Sequence, residues 1–283
     1  MGKTWNMQNK TNNDFDVLLM DANQESIDII QSIMGDDCLG TFLDGNISKL
    51  YFNGGNKNKI KNKLMKIMPD LISRSEWKIE SSQDWHLAWQ KYFKPIIIDQ
   101  KLAVLPSWNK TYLAKINLFI KPGMAFGTGH HESTWLMLKE LLDSVKPGME
   151  VLDLGAGSGI LSIAAHLLGA TNIDAVENDL ECKDNFIENM ELNKISNKII
   201  FHHQDVLIWD DFHHDIILAN INRNVLEDLI PRFINANGKI ILSGLLKSDF
   251  NKMKDLIEKY GFMIEKHLEK GDWLCLILKS HEN

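Results

Sequence analysis

The chain has 283 residues, 31 basic and 38 acidic side chains, a formal charge of −7 and a hydrophobic fraction of 44%. That is enough for a sizeable core in one large domain or two ordinary ones. No run approaches the roughly 20 apolar residues of a membrane helix, and the polar, Asn-rich start from Met1 to Asp16 has no signal-peptide core. Cys38, Cys182 and Cys275 form no C-x-x-C pair, which argues against a disulfide frame or a zinc site. The acidic balance argues against nucleic acid as the substrate and suits a basic protein partner. A monomeric, cytoplasmic protein with no membrane contact is the simplest expectation.

Phe15 to Met20 reads as a strand, and Gln24 to Met34 has helical apolar spacing closed by Gly35. Cys38 to Leu43 and Lys49 to Phe52 read as a hairpin turned near Asp44-Gly45-Asn46. A second helix, Lys57 to Met68, ends at Pro69, and a strand follows over Ile72 to Ile79. The order β-α-β-β-α-β predicts a small ferredoxin-like domain over residues 1–80. Lys57, Lys59, Lys61, Lys63 and Lys66 crowd the second helix. They read as a solvated helix face, with a basic patch for RNA or an acidic surface as the functional alternative.

Residues 81–121 read as a connector. Trp85, Trp89 and Phe93 recur every four residues and so share one helical face, which suits packing better than ligand binding. Leu102 to Pro106 and Ile116 to Ile120 read as strands. A Gly-rich stretch from Lys121 to Thr134 then precedes a helix over Trp135 to Leu142, and loops of this kind commonly serve a ligand. The histidine doublets at 130–131, 202–203 and 213–214 have no metal-ligand spacing, so no metal is expected.

From residue 122 to 283 strands and helices alternate, which predicts a doubly wound α/β sheet of the Rossmann-like kind. Its first strand ends in L-D-L-G-A-G-S-G, with Asp153, Gly155, Gly157 and Gly159, and Ile160 to Leu168 follows as a helix. Further strands are expected at Asn172 to Val176, Ile199 to His203, Asp215 to Ala219 and Lys239 to Ser243. Helices are expected at Asp179 to Asn193, Val225 to Ile234 and Ser248 to Tyr260. Met263 to Leu268 and Trp273 to Lys279 close the chain as an antiparallel hairpin around Gly271.

Ligands of such sheets bind at the carboxyl ends of the strands. Asp153, Glu177, Asp205 and Asn220 all fall there. The spacing G-x-G-x-G preceded by an acid is not the dinucleotide fingerprint; it resembles the first motif of S-adenosylmethionine-dependent methyltransferases. Glu177 can accept from a ribose diol, with Asp179 as a helix-capping competitor. Asp205 can accept from the adenine amino group, or is a surface loop acid. The three glycines leave room for the methionine tail, and Asp153 supports its amino group or orders the loop. Asn220 can hold an amine with its lone pair towards the methyl group, and Asn222, Arg223 and Asn224 follow it into the same cleft.

Taken together, A-F-G-T-G at 125–129, His131, Thr134, L-D-L-G-A-G-S-G-I-L, A-N-I at 219–221, L-S-G-L-L at 242–246 and the D-W-x-x-x-W-x-x-x-F-x-P run at 84–95 are similar to the ribosomal protein L11 methyltransferase family. The resemblance implies a seven-stranded S-adenosylmethionine-dependent methyltransferase domain. It implies cofactor contacts from Phe126, Thr134, Gly155, Glu177 and Asn220, and an N-terminal domain that recruits L11. The expected products are methylated lysine ε-amines and N-terminal α-amine, up to trimethylation. The alternatives are a methyltransferase of the same fold acting on RNA, DNA or a small molecule, and a non-catalytic scaffold that only binds the cofactor. The chain departs from the family pattern at Glu177, where Asp is common, and after Asn220, where A-N-I-L-A becomes A-N-I-N-R.

Overall fold

The computed structural model describes residues 14–21, 26–27, 30, 34, 37–44, 47–80, 94–121, 131–195 and 198–280. The chain divides into two compact units, Met1–Phe93 and Lys94–Asn283.

In the first unit, β1 (Phe15–Met20), β2 (Cys38–Asp44), β3 (Ile47–Asn53) and β4 (Glu76–Glu80) form a sheet of order β2-β3-β1-β4 with antiparallel neighbours throughout. Alternate residues Leu18, Met20, Leu50 and Phe52 point to one face and pack with Ile60 and Leu64 of α1 (Lys57–Met65) and Ile72 of α2 (Pro69–Ser73). Ile30 and Met34, from the segment expected to be the first helix, are helical and buried in the same core, although most of that segment lies outside the described residues. Pro69 begins a helix rather than merely ending one: its missing N–H falls where a first turn has no partner for it. The strand expected from Ile72 therefore starts only at Glu76.

The second unit opens with a three-stranded sheet of β5 (Ile96–Ile98), β6 (Leu102–Pro106) and β7 (Ile116–Ile120), in which β6 and β7 run parallel. The aromatic run Trp85, Trp89 and Phe93 lies outside the described residues, as does the Gly-rich stretch 122–130 with Phe126.

Next come α3 (Glu132–Ser144), β8 (Glu150–Leu154), α4 (Ile160–Leu167), β9 (Asn172–Glu177), α5 (Leu180–Leu192), β10 (Ile199–His203), β11 (Ile216–Asn220), α6 (Arg223–Leu229), β12 (Lys239–Leu246), α7 (Phe250–Lys259), β13 (Phe262–Lys270) and β14 (Trp273–Ser280). The strands form one sheet of order β10-β9-β8-β11-β12-β14-β13, in which β14 alone runs against the rest, antiparallel to both β12 and β13. This is the doubly wound sheet the alternation predicted, with the seven strands the resemblance implied. Side chains alternate across it, so each strand feeds two cores. Val151, Ile173, Leu218 and Ile241 pack with α3, α4 and α5, while Leu152, Val176, Ile217 and Leu242 pack with α6 and α7. The helix expected over Val225 to Ile234 stops at Leu229, and Pro231 turns its continuation into a 3₁₀ segment, Ile230–Asn235. The chain leaves β8 towards β9 on one side and returns to β11 on the other, so the carboxyl ends of β8 and β11 flank the switch point. No helix among the described residues is long and apolar enough to cross a membrane.

α3 is tied to the sheet by one buried carboxylate. Glu140 is 2% exposed, accepts from Ser144 Oγ at 2.6 Å and pairs with Lys266 Nζ at 2.9 Å, while Lys239 Nζ stands 4.0 Å away. Lys266→Met removes the near cation and leaves Glu140 with the more distant one. Urea denaturation is expected to show a loss of about 1–2 kcal/mol, because a buried carboxylate that loses its partner keeps its desolvation cost.

Candidate functional site

At the carboxyl end of β8 the backbone must turn at once into α4. Gly155, Gly157 and Gly159 take φ of +76, +52 and +80°, a region that L side chains rarely enter. A Cβ on Gly159 would come within 2.7 Å of the Phe186 ring, and one on Gly155 would collide with the Ile221 side chain. Several N–H groups of this turn bond within the protein. Gly155 and Ala156 donate to Val176 O at 2.8 and 3.1 Å, and Gly157 donates to Glu177 Oε2 at 3.0 Å. The turn is thereby stapled to the end of β9.

Gly159 occupies the N-cap of α4 and has no side chain to cap with. Asp153 does so from inside the strand. Its Oδ2 accepts from Ser162 N at 3.1 Å and from Ser162 Oγ at 2.6 Å, and the carboxylate is 1% exposed. Oδ1 is buried with no partner. Burial pushes this carboxyl up to about 6, against the lowering effect of the Ser162 bonds.

Glu177 closes β9, half-buried. One oxygen holds the glycine turn and the other accepts from Asp179 N at 2.9 Å, which leaves lone pairs on both for a further donor. Asp205 is exposed one strand further out and caps the 3₁₀ turn Val206–Ile208 through Leu207 N at 2.9 Å.

Asn220 ends β11, 8% exposed. Its Nδ2 donates to Thr134 Oγ1 at 3.2 Å. Thr134 belongs to the first turn of α3, is fully buried, and lies 86 residues away in sequence. That bond sets the amide's orientation and leaves Oδ1, which is buried and without a partner, as a fixed acceptor. Asn222 and Arg223 do not join it. Asn222 caps α6 through Val225 N at 3.3 Å, and Arg223 pairs with Asp249 at 2.7 Å and Glu227 at 3.0 Å.

Several supporting contacts escaped the sequence reading. His131 caps α3, its Nδ1 accepting from Ser133 N at 3.3 Å, and burial keeps its pKa below the ordinary imidazole value despite Glu132 beside it. Its ring stands edge-on to Trp273 with centroids 4.2 Å apart, and Lys270 Nζ lies 4.6 Å over the Trp135 ring. The β13–β14 hairpin thus clamps the turn that carries Thr134. On the other flank, Asn185 and Asn189 of α5 and Asn193 just past its end form one row. Asn193 exchanges both amide bonds with the Phe119 backbone, and Asn189 accepts from Lys121 N at 2.8 Å and donates to Ser158 O at 2.9 Å. That row was readable as an N-x-x-x-N-x-x-x-N period. Gly244, with φ +83°, sits where β12 bulges against the Ile221 carbonyl, directly after Asn220.

At this switch point the protein presents two dry acceptors, Asp153 Oδ1 and Asn220 Oδ1, and a carboxylate at the tip of the next strand. Such a set suits a ligand rich in ammonium, hydroxyl and amine donors.

A sequence model of the ribosomal protein L11 methyltransferase family (PrmA) matches residues 8–281. A protein of Lactococcus lactis subsp. cremoris, named ribosomal protein L11 methyltransferase, is 38% identical over 209 residues, covering 72% of this chain and 66% of its own length. One of the same name from Prochlorococcus marinus is 34% identical and covers 80% and 78%. Among solved structures, a ribosomal protein L11 methylase from Lactobacillus delbrueckii subsp. bulgaricus superposes with a TM-score of 0.63 at 30% identity. That match covers 67% of this chain and 100% of the other.

Gly244→Ala is expected to unfold at lower denaturant than wild type, and by more than Gly261→Ala. Both glycines have φ above +80°, which costs about 1–3 kcal/mol for a non-glycine residue, but only Gly244 meets a backbone carbonyl and Gly261 faces open space. Equal losses would mean that the contact with Ile221 is slack.

Proposed function

We propose that this chain, which belongs to the ribosomal protein L11 methyltransferase family, transfers methyl groups from S-adenosylmethionine to lysine ε-amines and the N-terminal α-amine of ribosomal protein L11. The observation that carries the reading is the oriented, unpartnered acceptor Asn220 Oδ1 at the switch point of the sheet. Residues 1–80 recruit the basic protein substrate, and the reaction belongs in the cytoplasm.

The residues fit the cofactor. A zwitterionic methionine tail needs an acceptor for its ammonium, and Asp153 Oδ1 is a buried carboxylate oxygen with no hydrogen-bond partner. Glu177 has lone pairs that would take the ribose diol, Asp205 would accept from the adenine amino group, and Gly155, Gly157 and Gly159 would leave the tail room. Thr134 and Phe126 complete the set by resemblance. When bound, S-adenosylmethionine supplies an electrophilic methyl on a cationic sulfonium.

A lysine amine has a reference pKa near 10.4 and must lose a proton before it attacks. Transfer from water into the cleft lowers that pKa. Asn220 Oδ1 then accepts one N–H and turns the lone pair along the line of attack. Thr134 Oγ1 holds the amide against flipping. Alignment of this kind accounts for much of the rate without a strong general base.

Intact-mass measurement of purified L11 after incubation with S-adenosylmethionine and the enzyme tests the reading. Gains in steps of one methyl are expected. Asn220→Ala should lower turnover by about 10²-fold or more, as loss of an orienting contact does, while calorimetric cofactor affinity stays within a few-fold. Glu177→Ala should lose the affinity itself. No mass gain with affinity intact would turn the search to RNA and small-molecule acceptors.

Asp153 makes cofactor affinity depend on pH. Above about 6 its carboxylate is ionised and pairs with the ammonium; below about 6 it takes up a proton and the pair is lost. The dissociation constant is therefore expected to rise as pH falls through 6, by up to about tenfold per unit. Asp153→Asn should bind more weakly at pH 7.5 and show a flat profile. An unchanged profile in that variant would remove Asp153 from the ammonium site.

A further inference from the structure

His131 is the N-cap of α3. Its Nδ1 accepts from Ser133 N at 3.3 Å and lies 2.7 Å from Ser133 Oγ. A ring nitrogen that accepts from a backbone N–H must carry a lone pair, so the proton of the neutral ring sits on Nε2. An imidazolium has no lone pair to offer, and its charge would stand at the positive end of the helix. Protonation therefore removes the cap. Three residues on, in the same turn, Thr134 Oγ1 accepts from Asn220 Nδ2 at 3.2 Å. One turn of backbone thus joins a titratable ring to the amide whose Oδ1 is left as a fixed acceptor.

The β13–β14 hairpin holds the ring where it is. Trp273 of β14 stands edge-on to it, with centroids 4.2 Å apart. Two charged groups belong to the same contact. The Glu132 carboxylate lies against Gly271 in the hairpin turn, where an added Cβ would collide with it. Lys270 of β13 rests 4.6 Å over the Trp135 ring. Burial disfavours the charged imidazole and outweighs Glu132, which favours it. The neutral, capping form therefore prevails at neutral pH and is lost as pH falls below the ordinary imidazole value.

We propose that His131 is a positioning residue for methyl transfer: its neutral ring holds the first turn of α3, and through Thr134 it keeps the Asn220 amide in the orientation that steers the attacking amine. That role follows from the one proposed for Asn220, and His131 acts through Thr134 without touching the amine.

Turnover of the full chain on purified L11, read by intact mass at saturating S-adenosylmethionine, is compared for the wild type, His131→Asn and His131→Ala between about pH 5.5 and 8. Asparagine caps a helix without titrating, and alanine does not cap. Saturating cofactor removes the effect of Asp153 on affinity. Dividing the wild-type rate by that of His131→Asn at each pH cancels the ionisation of the substrate amine. The ratio is expected to fall about fivefold as the ring protonates, the size of effect a lost cap has. His131→Ala should be about fivefold slower than the wild type near the upper end of the range, and His131→Asn should recover most of that loss. Hydrogen exchange of the first turn of α3, followed by mass spectrometry with neither cofactor nor L11 present, should quicken in the wild type relative to His131→Asn as pH falls. A ratio that stays flat, a His131→Asn variant as slow as His131→Ala, or exchange that does not move with pH overturns the assignment. Absence of any methyl transfer by the wild type at every pH would instead sink the function proposed above, while the exchange measurement still decides whether the ring holds the turn.

Discussion

A carboxylate in the middle of the seven-stranded sheet governs how the larger unit is laid out. The glycine turn after β8 has to be small and left-handed to reverse the chain, so Gly159 enters α4 with no side chain to cap it. Asp153 supplies the missing acceptor from the strand itself, through both the N–H and the hydroxyl of Ser162. The arrangement locks strand to helix and buries a charge that the first turn of the helix favours. It also leaves one oxygen dry and unused beside the turn. Under the role proposed for Asp153, structural support and ligand chemistry share one side chain. The smaller unit uses the same device, with Asp16 of β1 capping α1 across the sheet.

A second constraint holds Asn220. The amide acts as a fixed acceptor only while Thr134 is in register, and Thr134 belongs to a helix that enters from a Gly-rich stretch. α3 is therefore fastened at both ends. Glu140 and Lys266 hold its last turns, and His131, Trp135 and the β13–β14 hairpin hold its first. Gly244 and Gly155 bring Ile221 close from two sides and fix where β11 ends. The antiparallel strand β14, placed between β12 and β13, is what puts the hairpin within reach.

Much of this was legible because strands announce their ends. The apolar runs at 151–154, 172–176 and 216–219 stop at Gly155, Glu177 and Asn220, and each residue is where that reading put it. Local chemistry misled at prolines. Pro69 read as a stop, yet it opens a helix; the helix expected over Val225 to Ile234 ran through Pro231, which instead converts it to a tighter coil. The partners of site residues were mostly out of reach. Thr134 and Asn220 are 86 residues apart, and Asn189 meets Lys121 across 68; only the tertiary fold sets such pairs. Ser162 was nearer to legible, as a hydroxyl in the otherwise apolar I-L-S-I-A-A that opens α4.

The orientation of the Asn220 amide also bears on how many methyl groups an amine can take. Oδ1 can accept and cannot donate. A neutral primary amine offers it two N–H groups and a secondary amine one. A tertiary amine offers none, although it keeps the lone pair that attacks. Under the role proposed for Asn220, the residue steers the first and second transfers and has no hold on the third, which then depends on confinement by the walls of the cleft alone. The enzyme would in effect count hydrogens, and the last methylation would be the one most exposed to changes in the side chains around Asn220.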